Sequence, residues 1–166
     1  MPRVTRLFPG DIVLFARATG LNRLITFVSR SPYYHVAIYA GDNYVIEARP
    51  KGVVSRNLKG SIGSHYGSVI PAPAGKGDAA LQWARTQIGA KYDRWDTLVI
   101  ILEHVFTHLH LNYTPPGRFS CGEFVTEAFR QSGVDLFPGR DSAGIDPADF
   151  QPLLPPGSTI RPLVEI

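Results

Sequence analysis

Two strand-like runs, Tyr34 to Ala40 and Tyr44 to Ala48, are separated only by Gly41-Asp42-Asn43. No other stretch of the chain restricts its fold so tightly. Gly, Asp and Asn tolerate the positive φ that a tight hairpin turn demands, and the flanking residues are mostly β-branched, aromatic or small. An antiparallel pair is therefore expected around residue 42. Upstream, Pro9-Gly10 breaks the chain before the apolar run Asp11 to Ala16. Further strands are expected near Val53-Val54 and from Ser68 to Pro71.

Helical spacing takes over elsewhere. Leu21, Leu24, Ile25 and Val28 repeat at three and four residues, and Ser31-Pro32 then returns the backbone to extended geometry. After the loop Pro71 to Gly77, Asp78 is a natural cap for a helix from Ala79 to Ile88. Trp95, Leu98, Val99, Leu102, Val105, Phe106 and Leu109 form one apolar stripe of a longer helix. Strands cluster first and helices later, which implies an α+β fold with an antiparallel sheet packed against helices. With 166 residues and no internal repeat, one domain over residues 1–166 is expected. Its last part, 146–166, carries Pro147, Pro152, Pro155, Pro156 and Pro162. That tail is expected to lie extended over the body, anchored by Leu153, Leu154 and Ile160.

Composition excludes several classes of function. The net charge of +3 is scattered along the chain, so no nucleic-acid partner is expected. The glycines form no phosphate-binding fingerprint, and no cofactor is called for. His104 and His108 stand one helical turn apart with His110 nearby. However, Glu103 precedes His104, so the His-Glu-x-x-His order of a zinc helix is missing and no metal is expected. One cysteine permits no internal disulfide. The N-terminus lacks the apolar run of a secretory signal, and the stretch Leu98 to Leu102 is far too short to span a bilayer. A cytoplasmic protein without a transmembrane segment is the expectation.

That single cysteine, Cys121, opens the stretch Cys121-Gly122-Glu123-Phe124-Val125. Ser120 and Glu123 have the Ser-x-x-Glu spacing of a capping box, and Phe124, Val125, Ala128 and Phe129 continue at helical spacing until Gly133. A thiol at a helix N-terminus meets the positive end of the helix dipole, which favours the nucleophilic thiolate. A buried cysteine acting as a small hydrophobe is the competing reading. A cysteine nucleophile needs a base, and that base needs an orienting group. His35 opens a strand after Ser31-Pro32-Tyr33-Tyr34. Glu47 is an isolated carboxylate on the return strand of the same hairpin, and an odd turn would make the two a direct cross-strand pair. Tyr33, Tyr34 and Tyr113 are candidates for lining a cleft, with ordinary packing as the alternative for each. Asp11 is read as a turn or capping residue, and Asp93 and Asp96 as helix caps.

Five segments, in order, carry a resemblance. Gly10 to Phe15, Tyr34 to Gly41, Val45 to Ala48, Gly89 to Asp93 and Phe119 to Val125 resemble motifs of the permuted NlpC-like papain-fold hydrolases, the YiiX-like branch. In that family the cysteine helix follows the histidine strand. The resemblance implies a papain-like α+β fold in which Cys121 is the nucleophile, His35 the base and Glu47 the orienting acid. It also implies hydrolysis of an amide, in a peptide or cell-wall peptide, through an acyl-enzyme intermediate. The related lecithin-retinol acyltransferase group has a similar signature but uses a second histidine where Glu47 stands here. Ser120 and Gly122 also depart from that signature. An acyl-lipid substrate handled by an acyl hydrolase or acyltransferase is therefore the second reading, and a catalytically silent binding module the third.

Overall fold

The computed structural model describes residues 6–16, 30–49, 51–58, 66–92 and 118–163. The expected helices at Leu21 to Val28 and Trp95 to Leu109 lie outside these residues, as do Asp93, Asp96, His104, His108, His110 and Tyr113.

The apolar N-terminal run becomes β1 (Ile12–Ala16), whose residues are all buried. Continuous apolarity suits an interior strand covered on both faces. The hairpin forms as expected from β2 (Tyr33–Gly41) and β3 (Tyr44–Arg49), turned by Asp42 and Asn43 at φ 51° and 61°. Positive φ at both central residues matches the turn to the twist of the strands. With β4 (Gly52–Asn57), β5 (Tyr66–Ile70) and β8 (Arg161–Pro162), they make a six-stranded antiparallel sheet in the order β4-β3-β2-β1-β5-β8. Two short strands, β6 (Lys91–Tyr92) and β7 (Arg118–Phe119), pair in parallel beside it. The α+β class is therefore as expected.

Strand alternation sends side chains to two faces. Ile12, Leu14, Val36, Ile38, Ile46 and Ala48 pack with helices α1 (Gly77–Thr86) and α2 (Cys121–Gln131). Val13, Phe15, Ala37, Tyr39, Val45 and Leu163 form a smaller cluster on the other face. Asp11 fastens the start of β1: its carboxylate accepts from the backbone N–H of Phe8 at 2.8 Å and of Ala72 at 2.9 Å. Asp11 thus has the turn-fixing role read from the sequence.

Two local expectations need correction. Asp78 does not cap α1; the helix begins at Gly77 rather than Ala79, behind Lys76, and Asp78 lies in its first turn. The carboxylate there faces the helix dipole without bonding a cap N–H. The proline-rich tail is not extended throughout, because Pro147–Leu153 wind into a 3-10 helix. Asp146 caps it, accepting from Ala148 at 2.7 Å and Asp149 at 3.1 Å, while Pro147 supplies the preset φ of a first helical residue. Leu153 and Leu154 do pack against the core, but Ile160 is exposed and Leu163 is the buried anchor.

Candidate active site

The first turn of α2 is built from its cap. Ser120 is extended at φ −75° and ψ 169°, its hydroxyl accepts from Glu123 N–H at 3.2 Å, and the Glu123 carboxylate accepts from Ser120 N–H at 3.3 Å. The capping box read from the sequence is therefore complete, and Cys121 is the first helical residue. Phe119 and Phe124 bracket it and pack on Trp83 of α1, with ring centroids 5.8 and 6.0 Å away. Aromatic pairs of this kind contribute roughly 0.5–1.5 kcal/mol each beyond their burial.

Behind the cysteine, the backbone of Ile145 presses directly on the helix. A Cβ at Gly122 would stand 1.9 Å from the Ile145 carbonyl oxygen and 2.7 Å from its carbon. Neither backbone atom can step aside, so only glycine fits. Gly122→Ala is expected to cost at least about 1–3 kcal/mol through overpacking. The loss is read as a lower melting temperature together with a changed alkylation rate at Cys121. An unchanged melt would show that the Ile145 segment does not seat against α2.

His35 and Glu47 come from the hairpin, and a single residue sets their relation. Gly41 pairs with Tyr44, but Tyr39 pairs with Val45, so Ala40 is an extra residue on β2. A slip of one residue exchanges the faces of a strand. With Ala40 bulged out, Ile38 lies opposite Ile46, and the same register sets Ala37 opposite Glu47 and His35 diagonal to it on one face. The expected direct cross-strand pair is thus a diagonal one. Beyond this ladder, His35 pairs outward with Phe15 of β1 and Glu47 with Val54 of β4. A second register shift, between Phe15 and Ala16, lies beside His35. Such bulges re-aim nearby side chains.

The polar contacts form one chain. His35 Nε2–H donates to Glu47 Oε2 at 2.8 Å, and the Cys121 side chain lies close enough to the same imidazole to act on it. Glu47 is fully buried and also accepts from Arg49 Nη1 at 3.1 Å, from Arg56 Nη2 at 3.1 Å and from Arg56 Nε. Burial would raise the Glu47 carboxyl, but His35 and Arg56 together hold it well below the usual carboxylate range. Burial would likewise lower His35, yet the Glu47 charge and the bonds to Cys121 and Glu47 raise it to about 9. The imidazolium therefore persists at neutral pH.

No family model matches this chain, and no curated protein matches its sequence.

The three residues singled out in the sequence are thus adjacent, whereas the tyrosines divide. Tyr33 does not line the site: it is 4 % exposed, and its hydroxyl bonds Ser68 Oγ at 2.8 Å within the core. Tyr34 is half-buried beside His35, with ring centroids 6.4 Å apart and planes 26° apart. Burial pushes its hydroxyl up, against the opposing pull of Arg56 and Arg49. Arg49 and Arg56 escaped the sequence reading. The signal was present for Arg49, which stands two residues after Glu47 and so shares its face. Arg56 needed the β3–β4 register, which sets it opposite Val45. Among the described residues no cluster of His, Cys, Asp and Glu suits a metal ion, and no helix is long and apolar enough to cross a membrane.

The two shifted groups predict how stability depends on pH. His35, raised from 6.5 to about 9, stabilises fully below 6.5 and loses that contribution as pH rises through about 9. Glu47, lowered from 4.5, stabilises fully above 4.5 and loses its contribution only in strong acid. Melting temperature is expected to be highest between these ordinary values and to fall toward pH 9 by the equivalent of a few kcal/mol. Glu47→Gln should flatten the alkaline limb. An unaltered limb in that variant would rule out His35–Glu47 as its source.

Proposed function

We propose that the protein is a thiol hydrolase of papain-like, permuted NlpC-like fold that cleaves an amide bond of a peptide or cell-wall peptide. The observation that carries this reading is Cys121 at the start of a capped helix, acting on an imidazole that is hydrogen-bonded to the buried Glu47 carboxylate. This arrangement suits nucleophilic catalysis: the carboxylate fixes the Nε2–H tautomer, which leaves Nδ1 to serve the sulfur.

In this mechanism the Cys121 thiolate attacks the carbonyl carbon, forming a C–S bond as the carbonyl electrons move to oxygen. His35 Nδ1–H protonates the leaving nitrogen as the C–N bond breaks. Water then attacks the thioester, gives its proton to His35, and the C–S bond breaks to release the acid. Cys121 is the first helical residue, so the helix ladder does not use its backbone N–H, which is available to the oxyanion. Glu47 keeps the imidazole in place throughout.

The test is to incubate the protein with matched amide and ester substrates and weigh the intact protein after rapid acid quenching. An acyl adduct on Cys121 from the amide, absent in Cys121→Ala, is expected. Alkylation of Cys121 by iodoacetamide at neutral pH should also exceed that of a free thiol peptide. An adduct from esters alone would shift the reading to acyl-lipid chemistry. No adduct and ordinary alkylation would leave a silent binding module.

A further inference from the structure

One carboxylate needs one counter-ion, but Glu47 has three cationic partners: His35, Arg49 and Arg56. With Cys121 as thiolate and His35 as imidazolium, these five groups retain a net charge of +1. In the acyl-enzyme the sulfur is neutral and His35 has given its proton to the leaving nitrogen, so the excess stays at +1. A positive surplus that persists through the reaction is poorly suited to a neutral substrate and well suited to an anionic one.

The two arginines differ in what they have left to offer. Arg56 has two nitrogens on Glu47, a guanidinium 5.8 Å from the Phe15 ring centroid, and a side chain only 18 % exposed. Arg49 gives a single nitrogen to Glu47 at 3.1 Å, while its side chain is 45 % exposed. A guanidinium carries about five N–H donors in a planar fork. Among the described residues Glu47 is the only carboxylate paired with Arg49, so most of that fork faces no internal partner. Tyr34 stands beside the His35 ring, and its hydroxyl lies in the field of both arginines.

We infer that the site takes a substrate bearing an anionic group, a carboxylate or a phosphate, held by Arg49 and the Tyr34 hydroxyl next to the His35–Glu47 pair. The inference rests on the hydrolase reading for its substrate, but the anion site itself does not need turnover to be detected. Arg49 is then a specificity residue rather than a neutraliser of buried charge.

Paired fluorogenic amides test it: N-acyl-glutamyl against N-acyl-glutaminyl aminocoumarin, and phosphoseryl against seryl. The charged member of at least one pair is expected to lead in kcat/KM by about tenfold, the worth of one charge-assisted hydrogen bond. The better pair identifies the anion. Arg49→Gln should cut that ratio about fivefold or more and Arg49→Lys should keep much of it, since any effect through Glu47 divides out of the ratio.

Alkylation of Cys121 by iodoacetate relative to iodoacetamide gives the same comparison without turnover. An Arg49-dependent iodoacetate preference with no amide turnover would sink the hydrolase reading and keep the anion site. Turnover with equal rates for charged and neutral amides, or a ratio that Arg49→Gln leaves unchanged, would overturn the anion site and keep the hydrolase. Should Arg49→Gln fail to fold, the wild-type iodoacetate preference must fall between about 20 and 500 mM salt. A salt-independent preference would overturn the inference.

Discussion

Replacing Cys121 by alanine is expected to lower amide turnover by at least about 10⁴-fold, the usual consequence of removing a covalent nucleophile. The fold should survive, because the capping box, the Trp83–Phe119–Phe124 group and the Gly122–Ile145 contact do not involve the sulfur. A cooperative melt at near wild-type temperature would show this. The histidine supplies an independent readout. Cys121 is one of the groups that raise His35 to about 9, so the imidazole observed by NMR should titrate lower in Cys121→Ala. It should remain above 6.5, because the Glu47 charge is the largest favourable influence on it. Full activity in Cys121→Ala would end the proposal at once. A His35 titration that ignores the substitution would mean the thiol and imidazole do not meet in solution.

Glu47→Gln should injure both stability and rate. The amide keeps the size of the carboxylate but removes the charge that Arg56, Arg49 and His35 all face. Breaking one side of a buried ion pair costs roughly 3–5 kcal/mol, because the remaining charge stays out of water without a counter-ion. For a chain of this size that corresponds to about 10 °C or more in Tm. Rate should fall by about 10²–10⁴-fold, since nothing then enforces the Nε2–H tautomer. The double variant Glu47→Gln/Arg56→Gln separates the two effects. It should recover much of the lost stability, having no stranded guanidinium, and none of the activity. Recovery of both would reduce Glu47 to a structural ion-pair partner.

The features that sequence made legible are those set by short range. Ser120 and Glu123 are three residues apart, and their spacing alone fixes a capping box. Gly41-Asp42-Asn43 has the chemistry of a tight turn whatever lies around it. Both stand in the structure as read. Cys121, His35 and Glu47 were legible as a set of residue types, but the geometry of the His35–Glu47 pair was not, because the diagonal relation depends on Ala40 bulging out of β2. Nothing local marks Ala40 for that role. The burial of Tyr33 depends on Ser68, thirty-five positions away, and the tail's 3-10 helix on Asp146 capping a proline that composition alone read as extended. Arg56 joined the site only through a strand register. Arg49 and the Asp146 cap were local signals passed over; the burial of Tyr33 and the place of Arg56 were decided by partners outside the local window.

The contact between Gly122 and Ile145 has a consequence for the order in which the protein is made. His35 and Glu47 lie on a hairpin that is complete once residue 49 has been added. Cys121 emerges later, and its helix has no backstop until Ile145 has also been added. Domains form as their chain is delivered from the N-terminus, at about 5–20 residues per second. The nascent chain therefore holds the His35–Glu47 hairpin for several seconds before the Cys121 helix can seat beside it. Under the proposed mechanism, thiol and imidazole would come together only after residue 145 has been made.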